Sequence, residues 1–335
     1  MNTTTLNMTT LDGGVIIKKG GGGGNSGGGG AKPKWTGHAD AEGLKAIGWT
    51  DEDIAYYQAY GVNWNEEDDE WHKVSDDNKA LYGVLTASNI SSYKERIVYL
   101  PKIDTSGITS MSSKFGSCNT LIAIPLLDTS KVTNMSYMFN SCPALTSIPL
   151  LDTSSVKNMS GMFRFCYALT TIPLLDTSNV TDMDEMFREC YSLTTIPMLD
   201  TSKVTNMRSM FYNCWTLTSI QMLNTSRVKD MNSMFYNCFI LNPISMLDTS
   251  SVTNTGNMFS SCFSLSHAYL KNVKSAYQLN NSALLSKESI LYIINNEAAT
   301  SAITIQLASY AYDKWATDPD IVAALANHPN ISISK

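Results

Sequence analysis

Between residues 104 and 268 the apolar positions return at a fixed step of 24 residues, in the same order each time. Two adjacent copies read LLDTSKVTNMSYMFNSCPALTSIP (126–149) and LLDTSSVKNMSGMFRFCYALTTIP (150–173). Phenylalanine occupies Phe115, Phe139, Phe163, Phe187, Phe211, Phe235 and Phe259. Cysteine follows at Cys118, Cys142, Cys166, Cys190, Cys214, Cys238 and Cys262, which accounts for all 7 in the chain. Leucines from Leu121 to Leu265 and isoleucines from Ile124 to Ile244 keep the same step. A period between roughly 20 and 50 residues marks units that stack on one another. No insertion or deletion breaks the register, so the pattern predicts a solenoid.

Each copy can be read for its elements. Met135, Met138, Phe139 and Cys142 stand at i, i+3, i+4 and i+7, which predicts one face of a short helix. Thr133 and Asn134, just before it, are residue types that cap helix starts. Leu145, Ile148 and Leu150 then have the spacing of a short strand with its approach turn. Pro149 lacks a ladder N–H and suits a strand end or an irregular edge. Asp128, Thr129 and Ser130 turn the chain, because Asp and Ser side chains bond backbone N–H groups two residues on. None of these pieces can bury its apolar face alone. Stacking solves that, with rungs ~4.8 Å apart and seven of them making a rod of roughly 30 Å.

The repeats resemble the leucine-rich-repeat group called BspA-like, in the variant whose core reads L-D-[TS]-S-x-V-T-x-M-x-x-M-F-x-x-C. That variant occurs in surface proteins of gut bacteria and mycoplasmas. The resemblance covers about half the chain and implies an α/β repeat solenoid of right-handed leucine-rich-repeat type. It also implies an interaction scaffold with no active site, and it names no ligand.

The flanks divide the rest. Residues 1–34 form an N-terminal segment with a Gly-rich linker, Gly20–Gly24 and Gly27–Gly30 around Asn25 and Ser26, that cannot pack. Residues 11–17 read as a strand that docks on a larger assembly. The first 17 residues lack the charged start, apolar run and cleavage site of a secretory leader. Residues 35–90 read as a small aromatic-rich helical domain, with helices over 40–47 and 50–60. Trp49, Tyr56, Tyr57, Tyr60, Trp64 and Trp71 form its expected core, and Glu66 to Glu70 an acidic turn. Its wording GWTDEDIAYYQAYGVNWNEEDDE is similar to N-terminal pieces of tail and surface proteins of gut Bacteroidales and their phages. Residues 91–271 are the solenoid, led in by a strand over 97–103. Residues 272–335 read as an α/β cap: helix 288–295, strand 302–307, a helix over 309–327 broken near Pro319, and strand 331–334. A stack of repeats needs such a cap to cover its apolar end.

Composition narrows the function classes. The chain is 43% hydrophobic and 16% charged, with a formal charge of −6, which gives no reason to expect nucleic acid or an anionic membrane as partner. There is no apolar run near 18 residues to span a bilayer. The four histidines, His38, His72, His267 and His328, are scattered, and neither G-x-S-x-G nor H-E-x-x-H occurs. The cysteine step has nothing in common with C-x-x-C metal spacing, so the thiols read as small core residues. Seven unpaired thiols fit assembly in a reducing compartment. The column of Asp104, Asp128, Asp152, Asp176, Asp200 and Asp248 reads as turn caps, since Asn224 stands in it without a charge. Calcium wants ~6–8 oxygens, and one carboxylate per rung is thin for that. Neither a cofactor nor a metal is expected.

Two columns vary from copy to copy. After each Cys the series is Asn119, Pro143, Tyr167, Tyr191, Trp215, Phe239, Phe263; two before it, Gly116, Asn140, Arg164, Arg188, Tyr212, Tyr236, Ser260. These aromatics either cover the seam between rungs or form a binding strip for sugar rings or a protein partner. The expected ligand-binding residues are Arg164, Tyr167, Arg188, Tyr191, Tyr212, Trp215, Tyr236, Phe239 and Phe263. The expected function is non-catalytic recognition of a surface protein or glycan of a gut bacterium, by a phage tail or fibre-associated virion component. Other virion subunits would meet the N-terminal segment. A bacterial cell-surface adhesin and a purely structural virion or secretion-apparatus part are the alternatives.

Overall fold

In a computed structural model, the 24-residue step becomes a stack of hydrogen-bonded rungs. The structure describes residues 105–274, 277–279, 284–297 and 302–335, with the backbone of four short strands nearer the N-terminus. One parallel ladder, a single residue wide, runs the length of the stack: Ser110, Asn134, Asn158, Asp182, Asn206, Asp230 and Asn254 bridge in succession. Beside it the N–H groups of Met135, Tyr137, Phe139 and Ser141 donate to the carbonyls of Asn158, Ser160, Met162 and Arg164 one rung on, at 2.7–2.9 Å.

That bonding pattern corrects the predicted helix. Met135, Met138, Phe139 and Cys142 are all buried on one side, as their spacing requires. Yet the backbone is a run of tight turns, in which Met138 N–H reaches Met135 O at 3.2 Å and Asn140 N–H reaches Tyr137 O at 3.1 Å. Tyr137 and Ser141 have φ of +55° and +59°, and their equivalents Glu185 and Glu189 have +54° and +61°. An α-helix needs negative φ at every residue. A left-handed residue at every fourth position aims alternate peptides at the next rung instead of at the turn below. Each such residue costs on the order of 1 kcal/mol, which the inter-rung hydrogen bonds offset.

The predicted strand is corrected too. Leu145 and Ile148 are buried, but Leu150 is 60% exposed and its neighbour Leu151 only 2%. Successive side chains of an extended chain leave on opposite sides, so one residue of each Leu-Leu or Met-Leu pair must face outward. Regular strands appear, among the described residues of the array, only at its end; Ser245 and Tyr269 there stand in the column that holds Pro149, as does Gln221 in a rung without a strand, so loss of proline alone does not make one. Among the described residues of the array, β5 (Ile244–Asp248) and β6 (Ala268–Lys271) pair in parallel, with Ile244 opposite Ala268 and Asp248 opposite Lys271. Before them, β1 (Leu6–Leu11) and β2 (Gly14–Lys19) form one antiparallel pair, and β3 (Val62–Asn65) and β4 (Glu70–Lys73) another. The strand expected over 11–17 is thus divided between β1 and β2. The helices expected over 40–47 and 50–60, the strand over 97–103 and the aromatic core around Trp49 lie outside the described residues.

Three interior ladders hold the rungs together. The phenylalanine rings stack face to face from Phe115 to Phe259 at 5.5–5.8 Å. The cysteines are buried and form no disulfide, and from Cys142 to Cys262 each thiol donates to a Phe carbonyl 27 residues earlier, at 3.0–3.1 Å. Burial pushes the Cys166 and Cys262 thiols up to about 12, so they stay protonated core groups. The third ladder is one that residue spacing does not announce. Buried Thr129, Thr153, Thr177 and Thr201 each donate a hydroxyl to the carbonyl at the Asp or Asn column one rung on, at 2.8–3.0 Å.

The far end of the stack is covered by alternating strands and helices. They are β7 (Tyr277–Leu279), α1 (Lys287–Asn295), β8 (Ile303–Leu307), α2 (Ser309–Trp315), α3 (Pro319–Asn327) and β9 (Ile331–Ser334). The strands form a parallel sheet in that order, with helical crossovers between them. Ser286 caps α1 by accepting the Ser289 N–H. Ala268 N–H then donates to Ser289 Oγ at 3.1 Å, and buried Ile290, Ile293 and Ile294 continue the core. Among the described residues no helix is long and apolar enough to cross a membrane.

Candidate functional site

The turn-rich side of each rung ends at the column after Cys, and the structure brings its aromatics into one stack. Tyr167 and Tyr191 lie 4.7 Å apart, Tyr191 and Trp215 4.1 Å, Trp215 and Phe239 6.0 Å, and Phe239 and Phe263 5.6 Å, with planes within 19°. Tyr167, Trp215 and Phe263 are exposed, the last at 54%, while Tyr191 and Phe239 are half-buried. Parallel stacking uses up the faces of the inner rings and turns their edges to solvent.

The second column forms a parallel row set further in. Tyr212 and Tyr236 stack at 4.7 Å, and the Arg188 guanidinium lies over the Tyr212 ring at 4.5 Å. Arg164 lies over Phe165 at the same distance. Both arginines are committed to Glu185, a buried carboxylate at a left-handed position: Arg188 Nη1 is 2.7 Å from Oε1 and Arg164 Nε 3.3 Å from Oε2. Glu189 joins the two rows, since Tyr191 donates its hydroxyl to Glu189 Oε2 at 2.7 Å. Burial and that carboxylate push the Tyr191 phenol up to about 12, which keeps it a donor. The nine residues singled out by their columns therefore share one edge, but Arg164 and Arg188 serve as internal ties within it. Where the edge begins, the Tyr137 ring fills the space beside Gly161, whose φ is +58°; a Cβ there would run into that ring.

The variable columns give no sign of a second surface, which the structure shows on the extended side of the rungs. There the outward residues of the doublets line up as Leu126, Leu150, Leu174, Met198, Met222 and Met246, all exposed, with Met198 at 68%. From Leu174 to Met246 they form one wall of an open groove of about 810 Å³. Beside them the groove is lined by the column of Asp176, Asp200, Asn224 and Asp248, and Lys271 closes the end, with Nζ 3.3 Å from Asp248 Oδ2. Each side chain of this column accepts the N–H of the Ser two residues on, at 2.9–3.2 Å, Asn224 included. The turn role expected of the Asp column is what the geometry shows. Bonds from Ser178 hold the Asp176 carboxyl below its usual range, and bonds from Ser202 do the same for Asp200. Among the described residues no three His, Cys, Asp or Glu side chains gather as metal ligands would. The signal for this groove is the doublet itself, two apolar residues in a row before each turn, of which an extended chain can bury only one.

Residues 86–196 and 194–288 match the family described as Mycoplasma protein of unknown function, DUF285. The T. pallidum leucine-rich repeat protein TpLRR is similar at 18% identity over 57% of this chain and 79% of that one, with a TM-score of 0.38. A leucine-rich repeat protein from Bacteroides ovatus is similar at 15% identity over 100% of this chain and 99% of that one, with a TM-score of 0.29. No curated protein matches the chain.

Proposed function

Because this chain belongs to the DUF285 family of BspA-type repeat proteins, we propose that it is a non-catalytic recognition protein whose aromatic edge binds a protein on the surface of a gut bacterium. The observation that carries the reading is the stack from Tyr167 to Phe263. Five aromatic side chains in a row, three of them exposed, are what a partner surface can bury. A sugar ring needs a free aromatic face, and the inner rings spend theirs on each other. Ring edges carry the positive part of the quadrupole, which suits peptide carbonyls, carboxylates and apolar side chains of a protein partner. Tyr167, Tyr191, Trp215, Phe239 and Phe263 make that contact, while Arg164, Arg188, Tyr212 and Tyr236 hold the edge in shape from behind.

We place the protein in a phage tail or fibre. The support is the likeness of residues 48–70 to N-terminal pieces of such proteins, together with cysteines that form no disulfide and suit assembly in a reducing cytoplasm. Residues 1–34 would then meet other virion subunits.

Labelled full-length chain, added to a panel of intact gut Bacteroidales cells, tests the reading. Binding is expected to at least one strain, to fall when surface proteins are shaved by protease, and to be lost in a folded Tyr191→Ala, Trp215→Ala variant. No binding to any strain, or undiminished binding by the variant, refutes it. Mass spectrometry of purified tailed particles and of surface-labelled cells then separates a virion component from a cell-surface adhesin.

A further inference from the structure

The groove on the extended side asks for a different partner from the aromatic edge. Leu174, Met198 and Met222 are not needed to fill the core, because the adjacent Leu175, Leu199 and Leu223 already do so. What remains is a ridge on which Leu174, Met198 and Met222 stand in water, while Met246 at its end accepts the Tyr292 hydroxyl at 3.1 Å. Methionine is flexible and polarizable, and a methionine surface adapts to whatever apolar side chains meet it. The neighbouring column is anionic. Asp176 and Asp200 are exposed and spend their bonded oxygen on a turn; Lys203, whose charge lowers both carboxyls, is itself bonded to Asn179 Oδ1 at 2.7 Å and does not line the groove, and Lys271 sits at the end against Asp248.

Spacing decides the shape of the occupant. Successive groove residues are one rung apart, ~4.8 Å. An extended peptide lying along the axis repeats each face at about 6.7 Å and falls out of step within two residues. An α-helix repeats at ~5.4 Å per turn and drifts by only about 2 Å over the three steps from Leu174 to Met246. We propose that this groove is a docking site for a cationic amphipathic helix of about three turns, its apolar stripe on the Leu174–Met246 ridge and its Lys or Arg side chains toward Asp176 and Asp200. The inference is independent of the aromatic edge and would add a second partner to the same rungs.

The test uses the full chain and fluorescence anisotropy with synthetic peptides of about 14 residues, or four helical turns. One has leucines on a helical stripe and lysines elsewhere; a second replaces Lys by Glu; a third scrambles the first so that no stripe forms. The Leu/Lys helix is expected to bind, and the Leu/Glu helix and the scramble to bind at least about tenfold more weakly. Met198→Lys with Met222→Lys should cost at least about tenfold, and both side chains are too exposed for the fold to depend on them. Asp176→Asn with Asp200→Asn should weaken binding several-fold and flatten its salt dependence, and Asn224 shows that asparagine keeps the turn. Unchanged binding by the Tyr191→Ala, Trp215→Ala chain assigns the helix to the groove. Equal binding of the Leu/Glu helix or the scramble overturns the proposal, as does normal binding by the methionine variant.

Discussion

The two long surfaces of this solenoid both expose apolar side chains and differ in what those side chains already touch. On the aromatic edge each ring is stacked on the next, and the charged residues behind it are paired through Glu185. Along the groove, Leu174, Met198 and Met222 stand in water, and the core beneath them is complete without them. Repetition at the rung step therefore does two jobs that look alike in a sequence. A repeated aromatic can be a structural ladder whose outer rim happens to be available. A repeated outward Leu or Met contributes little to folding, so its exposure needs another reason.

The strongest way to break the comparison is to remove what both surfaces stand on. Phe187→Ala deletes one ring from the interior stack and leaves a cavity in a rung shared by edge and groove; a loss of about 3–5 kcal/mol is expected in urea unfolding. Because each rung contacts only its neighbours, both surfaces should fail together. A variant that kept one surface intact would mean that the rungs are less coupled than their hydrogen bonds imply. A sharper cut compares the surfaces directly. Tyr191→Ala with Trp215→Ala removes three stacking contacts and should cost about 2 kcal/mol, whereas Met198→Ala with Met222→Ala should change stability by less than about 0.5 kcal/mol. Equal losses would erase the distinction between ladder and ridge.

Much of the interior is legible in the sequence alone. The 24-residue step specifies it, and the Phe, Cys, Leu121-type and Ile124-type columns are buried where the pattern puts them. The cap helices and strands follow from ordinary signals, such as the Ser286 cap and Pro319 at the start of α3. The helix expected over Met135 to Cys142 fails because Tyr137, Glu185 and Ser209 carry positive φ without being glycine. Nothing in their identity announces that, and only the next rung makes the conformation favourable. Leu150 faces outward, against the expectation from its spacing to Ile148, because the two-sided geometry of extended chain outranks that spacing. Variation from copy to copy points to the aromatic edge. It is silent about the groove, because Leu174, Met198 and Met222 hardly change at all.

A last contrast distinguishes the surfaces by their response to acid. At the edge, burial and then the charge of Glu185 raise the Asp184 carboxyl from its ordinary 3.8 to about 6, with Asp182 and Asp230 adding to the rise and Arg208 opposing it. Its Oδ1 is buried without a hydrogen-bond partner, and Arg208 Nη1 is 3.6 Å from Oδ2. A carboxyl whose folded value exceeds its unfolded one takes up a proton more readily when folded, so its contribution grows as pH falls from about 6 to 4. At the groove end the sign is reversed. Burial would raise the Asp248 carboxyl, yet bonds from Asn272, Ser250 and Lys271 hold it at about 2, so its contribution is present above 3.8 and lost below. The parent should therefore gain about 1 kcal/mol between pH 7 and 5 in urea titrations, an amount reduced from the full shift by solvent near Asp184. Asp184→Asn should abolish that gain and be no less stable than the parent at pH 7. Asp248→Asn should leave the gain intact and instead flatten the loss of stability below about pH 4. If Asp184→Asn retained the gain, the acid response would belong to another group, and the edge and the groove would not differ in the way their carboxylates are held.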